Sequence, residues 1–215
     1  MKKLLISVVG LLVSFALAAS ANALSYQFSG DAYGGIASAT MEVTISGTQV
    51  TIAINNTSPK KTNDALSSNS PAINGFGFNL GSLVKPSEWV LSARKTSAGD
   101  LSTISGSATG TKGLWDYGTN PAAGLNFMFT TGYWGLLLNP VASPSGLVGP
   151  FYTTAILTMT FNQDIEGFTD PLISFTNVGT GGKGELTLTP TPEPGTMLLL
   201  GIGLIGVALV MREML

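Results

Sequence analysis

Apolar and polar residues alternate on both sides of the dipeptide Gly47-Thr48. The alternating segments are Met41–Ser46 and Gln49–Ile54. A two-residue loop at Gly47-Thr48 pairs residues whose numbers sum to 95, and this register decides which side chains share a face. Six apolar side chains then lie on one face of the hairpin: Met41, Val43, Ile45, Val50, Ile52 and Ile54. The sequence therefore predicts a half-buried β-hairpin with a fixed register.

The two-residue period recurs along residues 24–189. It is clearest in the stretches Phe76–Leu80, Leu125–Phe129 and Ala155–Phe161. Shorter strands fit the stretches Trp89–Ala93, Pro171–Thr176 and Glu185–Leu188. Turn-forming residues dominate four intervening segments, which are predicted loops: Asn55–Asn74, Ser97–Thr111, Asn139–Pro150 and Gly179–Gly184. Because Gly, Ser, Thr and Asn interrupt every helical window, residues 24–189 are predicted to form one all-β domain, a β-sandwich of jelly-roll-like topology.

Residues 1–23 have the three zones of a secretory signal peptide. Lys2 and Lys3 precede the apolar run Leu4–Ala18, and small residues follow at Ala21 and Ala23. As a helix this run spans about 22 Å, which is short against a hydrocarbon core of roughly 30 Å. We therefore predict an N-terminal signal helix that is removed, with Ala21 and Ala23 marking the cleavage site.

A proline-rich spacer and an apolar run follow the β-strands. Three prolines within Pro190–Pro194 predict an extended, polyproline-like segment that does not continue a β-sheet. The apolar run Met197–Met211 contains Gly201, Gly203 and Gly206, each of which weakens a helix by about 1 kcal/mol relative to Ala. We predict a marginal membrane helix at residues 197–211.

The C-terminal pattern resembles the sorting tail of the PEP-CTERM proteins of Gram-negative bacteria. The resemblance rests on Pro192, Glu193 and Pro194, on the Gly-Thr that follows, and on the apolar helix near the end of the sequence. In that family an integral-membrane cysteine protease, exosortase, is thought to remove the tail. The resemblance implies that residues 190–215 are a sorting tail and that exosortase is the partner. The family tail usually ends in several Arg or Lys residues, whereas only Arg212 stands here.

The composition excludes several kinds of protein. The chain has no His and no Cys, so a Ser-His-Asp triad, a cysteine nucleophile and a zinc finger are impossible. Its net charge is -2, with scattered basic residues, and this rules out the basic patch that nucleic-acid binding requires. We therefore expect a protein that is not an enzyme.

Acidic residues are densest in one predicted inter-strand segment, at Asp164, Glu166 and Asp170. Oxygen-rich loops suit Ca²⁺, so these residues are the candidate metal ligands, although their spacing is not that of an EF-hand. Asp170 also precedes a proline, which favours a plain turn with solvated carboxylates. The pair Asp164 and Glu166 defines a further alternative, a glycan hydrolase with two carboxylates.

Aromatic residues in Gly-rich segments are the candidate glycan contacts. Trp115, Tyr117 and Trp134 lie in such segments, and exposed rings on β-sandwiches stack on sugars. Burial in the core is the competing interpretation, because such rings dominate core energetics.

Together these features predict a non-enzymatic exported protein. The Sec machinery exports it, the tail holds it transiently at the inner membrane, and an exosortase then sorts it to the cell surface or extracellular matrix. The alternative is a carbohydrate-binding or adhesive module that binds exopolysaccharide in a biofilm matrix. No cofactor is expected other than the candidate Ca²⁺.

Overall fold

The computed structural model describes residues 22–59, 71–81, 84–94, 100–106, 114–131, 136–137, 152–179 and 184–191. These residues form β-strands and one short 3₁₀ turn, Pro121–Ala123. In chain order the strands are β1 (Asn22–Ala32), β2 (Gly35–Ser46), β3 (Gln49–Asn56), β4 (Ala72–Leu80), β5 (Glu88–Arg94), β6 (Ser102–Gly106), β7 (Asp116–Asn120), β8 (Leu125–Thr130), β9 (Thr154–Thr160), β10 (Phe168–Val178) and β11 (Gly184–Leu188).

The β2–β3 hairpin has the predicted register. Met41 lies opposite Ile54, and the pairing continues in step to the loop. Gly47 has a φ of 55°, a left-handed conformation that glycine adopts without strain. The six predicted apolar side chains are all at most 8% exposed. The prediction is confirmed, because turn chemistry and face pattern specify the same register.

The strands form two antiparallel sheets. The first has the order β1-β2-β3-β9-β5-β6, and the second has the order β11-β10-β4-β8-β7. Apolar side chains from both sheets belong to one core cluster. Within the second sheet, the rings of Phe76 and Phe129 stack with centroids 5.1 Å apart, as do those of Phe78 and Phe127. The all-β class is thus confirmed for the described residues.

The strands predicted from the alternating pattern are all present, in β4, β5, β8, β9, β10 and β11. The predicted loop Ser97–Thr111 is wrong in its centre, where β6 lies. Among the described residues, β6 is an edge strand that pairs with β5 alone. It therefore needs little apolar surface, and Ile104 is its one side chain in the core cluster. The sequence of β6 is rich in Ser and therefore lacks the alternating apolar residues that indicate the other strands.

The predicted signal helix and the predicted membrane helix at Met197–Met211 lie outside the described residues. In the part of the chain that the structure describes, no helix has the length and apolar character needed to cross a membrane. The chain changes sheet after β3, β4, β6, β8 and β9. The jelly-roll description stays a prediction.

Candidate functional site

The segment after β11 is attached to the other sheet. Thr191 forms an antiparallel β-bridge with Gln27 of β1. The Thr191 N–H donates to the Gln27 backbone carbonyl at 2.8 Å, and its hydroxyl donates to the same carbonyl at 3.2 Å. The chain therefore passes from the edge strand of one sheet to the edge strand of the other. The prediction that the proline-rich spacer does not continue a β-sheet is wrong at Thr191, which bridges to β1.

Side-chain packing between β1 and β11 brings these two edges together. Leu188 lies over Gly30, where an added Cβ would meet the Leu188 Cδ2 at 2.5 Å. Gly30 therefore leaves the space that the Leu188 side chain fills. Nearby, the Tyr26 ring lies 5.6 Å from the Phe168 ring of β10. The bridge between Thr191 and Gln27 thus lies beside apolar side-chain contacts that connect the two sheets.

The predicted signal cleavage site lies at the start of this same strand. Ala23 is exposed and belongs to β1, opposite Thr44 of β2, whereas Ala21 lies outside the described residues. Strand β1 was missed by the sequence analysis, although Leu24, Tyr26 and Phe28 alternate with polar residues. The adjacent apolar signal run concealed this short pattern.

The three sorting-triplet residues, Pro192, Glu193 and Pro194, lie outside the described residues, which end at Thr191. The described chain thus holds the base of the tail. That base consists of Thr189 and Thr191, both exposed, and half-buried Pro190.

The acidic segment is fixed by backbone hydrogen bonds. The Ile165 N–H donates to the Gly47 carbonyl, and the Gly81 N–H donates to the Glu166 carbonyl, each at 3.0 Å. Asp164 and Glu166 are exposed. Among the described residues, no three acidic side chains come close enough to hold a metal ion. Asp164, Glu166 and Asp170 are therefore not brought together as a ligand set in this structure.

Asp170 instead forms a fixed polar corner with Asn79. The Asn79 amide nitrogen donates to the Asp170 Oδ2 at 3.0 Å, and the Thr169 hydroxyl donates to the same oxygen at 2.8 Å. These two hydrogen bonds, with that from Asn79 the stronger influence, hold the pKa of the Asp170 carboxyl below its usual value. The Asn79 side chain is itself locked, because it also donates to Gly124 and accepts from the Asn126 N–H.

An open cavity of about 550 Å³ lies beside this corner. Its walls are largely apolar and include Leu125, Pro171, Leu172 and Pro190. Pro190 also belongs to the base of the tail. The cavity combines apolar walls with one fixed carboxylate that is exposed to solvent, which is an arrangement suited to a small polar ligand.

The aromatic candidates divide between the core and the undescribed part of the chain. Trp115 is 1% exposed and lies 5.4 Å from Phe76, so its ring has no face open to a glycan. Tyr117 belongs to β7 and is half-buried, with its ring stacked on Phe129 at 5.2 Å. Burial also raises the pKa of the Tyr117 hydroxyl. Trp134 lies outside the described residues.

The family model of the PEP-CTERM protein-sorting motif matches residues 190–212. The chain therefore carries that motif, and the resemblance found in the sequence is confirmed. The motif indicates export, processing at a membrane, and exosortase as the processing partner. Neither a curated protein nor a solved structure matches the chain.

Proposed function

We propose that this PEP-CTERM protein is a non-enzymatic component of the cell surface or extracellular matrix. A Sec-type signal peptide directs the chain across the inner membrane. The tail then holds it there until an exosortase cleaves near Pro192, Glu193 and Pro194. The β-domain that remains is the delivered product.

One observation carries this proposal: the sorting motif begins at the residue where the β-domain ends. The matched residues start at 190, directly after β11 and Thr189. A sorting signal joined so closely to a folded domain is consistent with that domain being the cargo. The absence of His and Cys from the whole chain supports a role outside the common forms of nucleophilic catalysis.

We also infer that the two sheets form a sandwich. Inner side chains of both sheets share one core cluster, and packed sheets with interdigitated inner faces are the usual way to bury two such faces. A domain of this kind needs no disulfide to fold, which suits an exported chain without Cys.

Mass spectrometry of the protein from its native host tests the sorting proposal. Membrane and extracellular fractions are compared for peptides that span Ala23 and Pro192. We expect extracellular protein to begin at Leu24 and to lack the residues that follow the triplet. A matched host without exosortase is the control, and there the tail should stay intact.

Two results would contradict the proposal. The first is an uncut tail in the membrane fraction of the normal host, which would make Met197–Met211 an ordinary anchor. The second is equal delivery of a chain truncated before Pro192, since sorting would then not need the motif.

A second candidate function is binding of a matrix glycan, and the cavity beside Asp170 favours it. The fixed carboxylate can accept hydrogen bonds from sugar hydroxyls, while exposed Ala123 and half-buried Pro190 offer apolar surface to the C–H face of a sugar ring. In this proposal the candidate contacts are Asp170 and Asn79, and Trp115 is not one of them.

Retention on polysaccharide affinity gels tests the glycan proposal. Asp170→Asn should reduce retention, because the amide replaces one acceptor oxygen with a donor. Asp164→Asn is the matched control, since it removes one exposed carboxylate outside the cavity. Equal retention of both variants and the unmodified protein would contradict a site at Asp170.

A further inference from the structure

We propose that the edge of β1 that the described residues leave unpaired on the N-terminal side of Gln27 is the docking site for the sorting segment, with residues 192–194 added to the first sheet as an edge strand. The bridge between Thr191 and Gln27 is the first pair of this ladder. The docking itself is independent of exosortase, while its consequence for processing rests on the proposed function.

The bridge fixes the register. In an antiparallel ladder the paired residue numbers have a constant sum, which is 218 for Gln27 and Thr191. Glu193 then pairs with Ser25, which is the second residue of a chain that begins at Leu24. The Gln27 carbonyl points away from β2 toward Thr191, and residues two apart point the same way. Ser25 therefore presents its backbone groups to the same edge as Gln27.

The proline spacing fits this register. Prolines occupy positions 190, 192 and 194, whereas positions 191, 193 and 195 are Thr, Glu and Gly. In the ladder the odd-numbered residues face β1 and donate their N–H groups, and the prolines face solvent with no N–H to lose. Proline is tolerated in a sheet only at such edge positions. A spacing shifted by one residue would place every proline where a donor is needed.

The side chains along β1 also fit the docked segment. Leu24 is 36% exposed, and Tyr26 is half-buried. In the same register Pro192 lies opposite Tyr26, and Pro194 lies opposite Leu24. The two proline rings thus cover apolar side chains that the described residues leave partly open to water, which adds hydrophobic burial to the backbone hydrogen bonds.

An edge strand such as β1 needs a cover. An exposed strand edge is a template for pairing with other chains, and natural proteins block it with proline or with a covering segment. The sorting segment supplies both. It also reaches the predicted N-terminus of the exported chain at Leu24, so the triplet lies beside that N-terminus. The triplet is therefore presented on a folded domain in an extended conformation.

Disulfide trapping tests the docking, because the chain has no Cys. The pair Ser25→Cys with Glu193→Cys places two cysteines opposite each other, with Cα atoms about 5.5 Å apart, within the range that a disulfide spans. The matched control is Ser29→Cys with Glu193→Cys. Ser25 and Ser29 are both exposed on β1, but Ser29 lies about 13 Å further along the strand. Both variants are oxidised as purified full chains in detergent, without exosortase.

We expect the Ser25 pair to form an intramolecular disulfide at least about tenfold faster than the Ser29 pair. Equal rates would overturn the proposal, because a free tail reaches both positions. Intermolecular Ser25 disulfides with Glu193→Cys left reduced would also overturn it, since a second copy would then cover the edge. In the unmodified chain, amide exchange at Glu193 should be slowed relative to an isolated tail peptide, and exchange at the peptide's rate would contradict docking. None of these results depends on whether the tail is cut in the host.

Discussion

Two regions of the molecule, the apolar interior that both sheets share and the edge where β1 contacts β11, are stabilised by different interactions. In the interior, Trp115, Phe76 and Phe129 are at most 1% exposed and pack ring against ring. At the edge, Thr191 is exposed and is attached through a single carbonyl of Gln27. Burial of large apolar groups therefore stabilises the domain, while a few hydrogen bonds locate the tail.

This difference suits a chain whose tail must be separated from its body. Substitutions in the interior should destabilise the domain, and they do not remove a contact of the tail itself. Substitutions that remove the hydrogen bonds of Thr191 should loosen the tail while the domain stays folded.

Trp115→Ala tests the interior and should have the largest effect. Loss of a buried ring should lower the free energy of unfolding by about 3–5 kcal/mol. Urea denaturation followed by circular dichroism measures it. Leu101→Ala, at a side chain that is 40% exposed, is the control and should change stability by less than about 0.5 kcal/mol. A similar small change for Trp115→Ala would mean that its ring is outside the core.

Leu188→Ala tests the apolar contact between the edges. Leu188 is 9% exposed and packs on Gly30, so we expect a loss of about 2–3 kcal/mol in the same denaturation experiment. Thr187→Ala, at the exposed neighbour, should cost about 0.5 kcal/mol or less. If both variants lose equally little, the two edges are not joined through Leu188.

Thr191→Val tests the attachment of the tail. Valine keeps the N–H donor but removes the hydroxyl that donates to Gln27. We expect amide exchange at residue 191 to become about two- to tenfold faster, with unchanged overall stability. Thr189→Val is the matched control and should leave that exchange rate unaltered. A large loss of overall stability would instead place Thr191 among the residues that hold the domain together.

Asp170→Asn tests the polar corner by its pH dependence and should have the smallest effect. The pKa of Asp170 is lowered in the folded protein, so its carboxylate contributes to the free energy of unfolding. This contribution is complete above the unfolded pKa of about 3.9 and is lost as pH falls through the lower pKa of the folded protein. Between about pH 6 and about pH 3, the melting temperature of the unmodified protein should therefore fall further than that of Asp170→Asn. Calorimetry measures this, with Asp164→Asn as the charge control. Parallel curves for the two proteins would contradict a stabilised Asp170 carboxylate.

Much of the fold could be predicted from local patterns. The β2–β3 register follows from Gly47-Thr48 and its flanking alternation, and strands such as β4 and β8 follow from alternating Phe residues. Strands β6 and β7 could not be found this way, because edge strands bury few side chains and carry Ser, Gly and Asn. Trp115 and Tyr117 were candidate glycan contacts because they lie in a Gly-rich segment, but rings of other strands pack against them, which local sequence does not show.

The sequence by itself determined the all-β class, the hairpin register and the sorting motif at residues 190–212, because each depends on residues close together in the chain. The tertiary structure decided which strands became neighbours. It also decided that Asp170 is hydrogen-bonded to Asn79 and does not join Asp164 and Glu166. In the same way, it decided that Thr191 is hydrogen-bonded to Gln27. These contacts join residues that are far apart in sequence. They form only when strand pairing within a sheet, or contact between the edges of the two sheets, brings those residues together, and no local pattern records that arrangement.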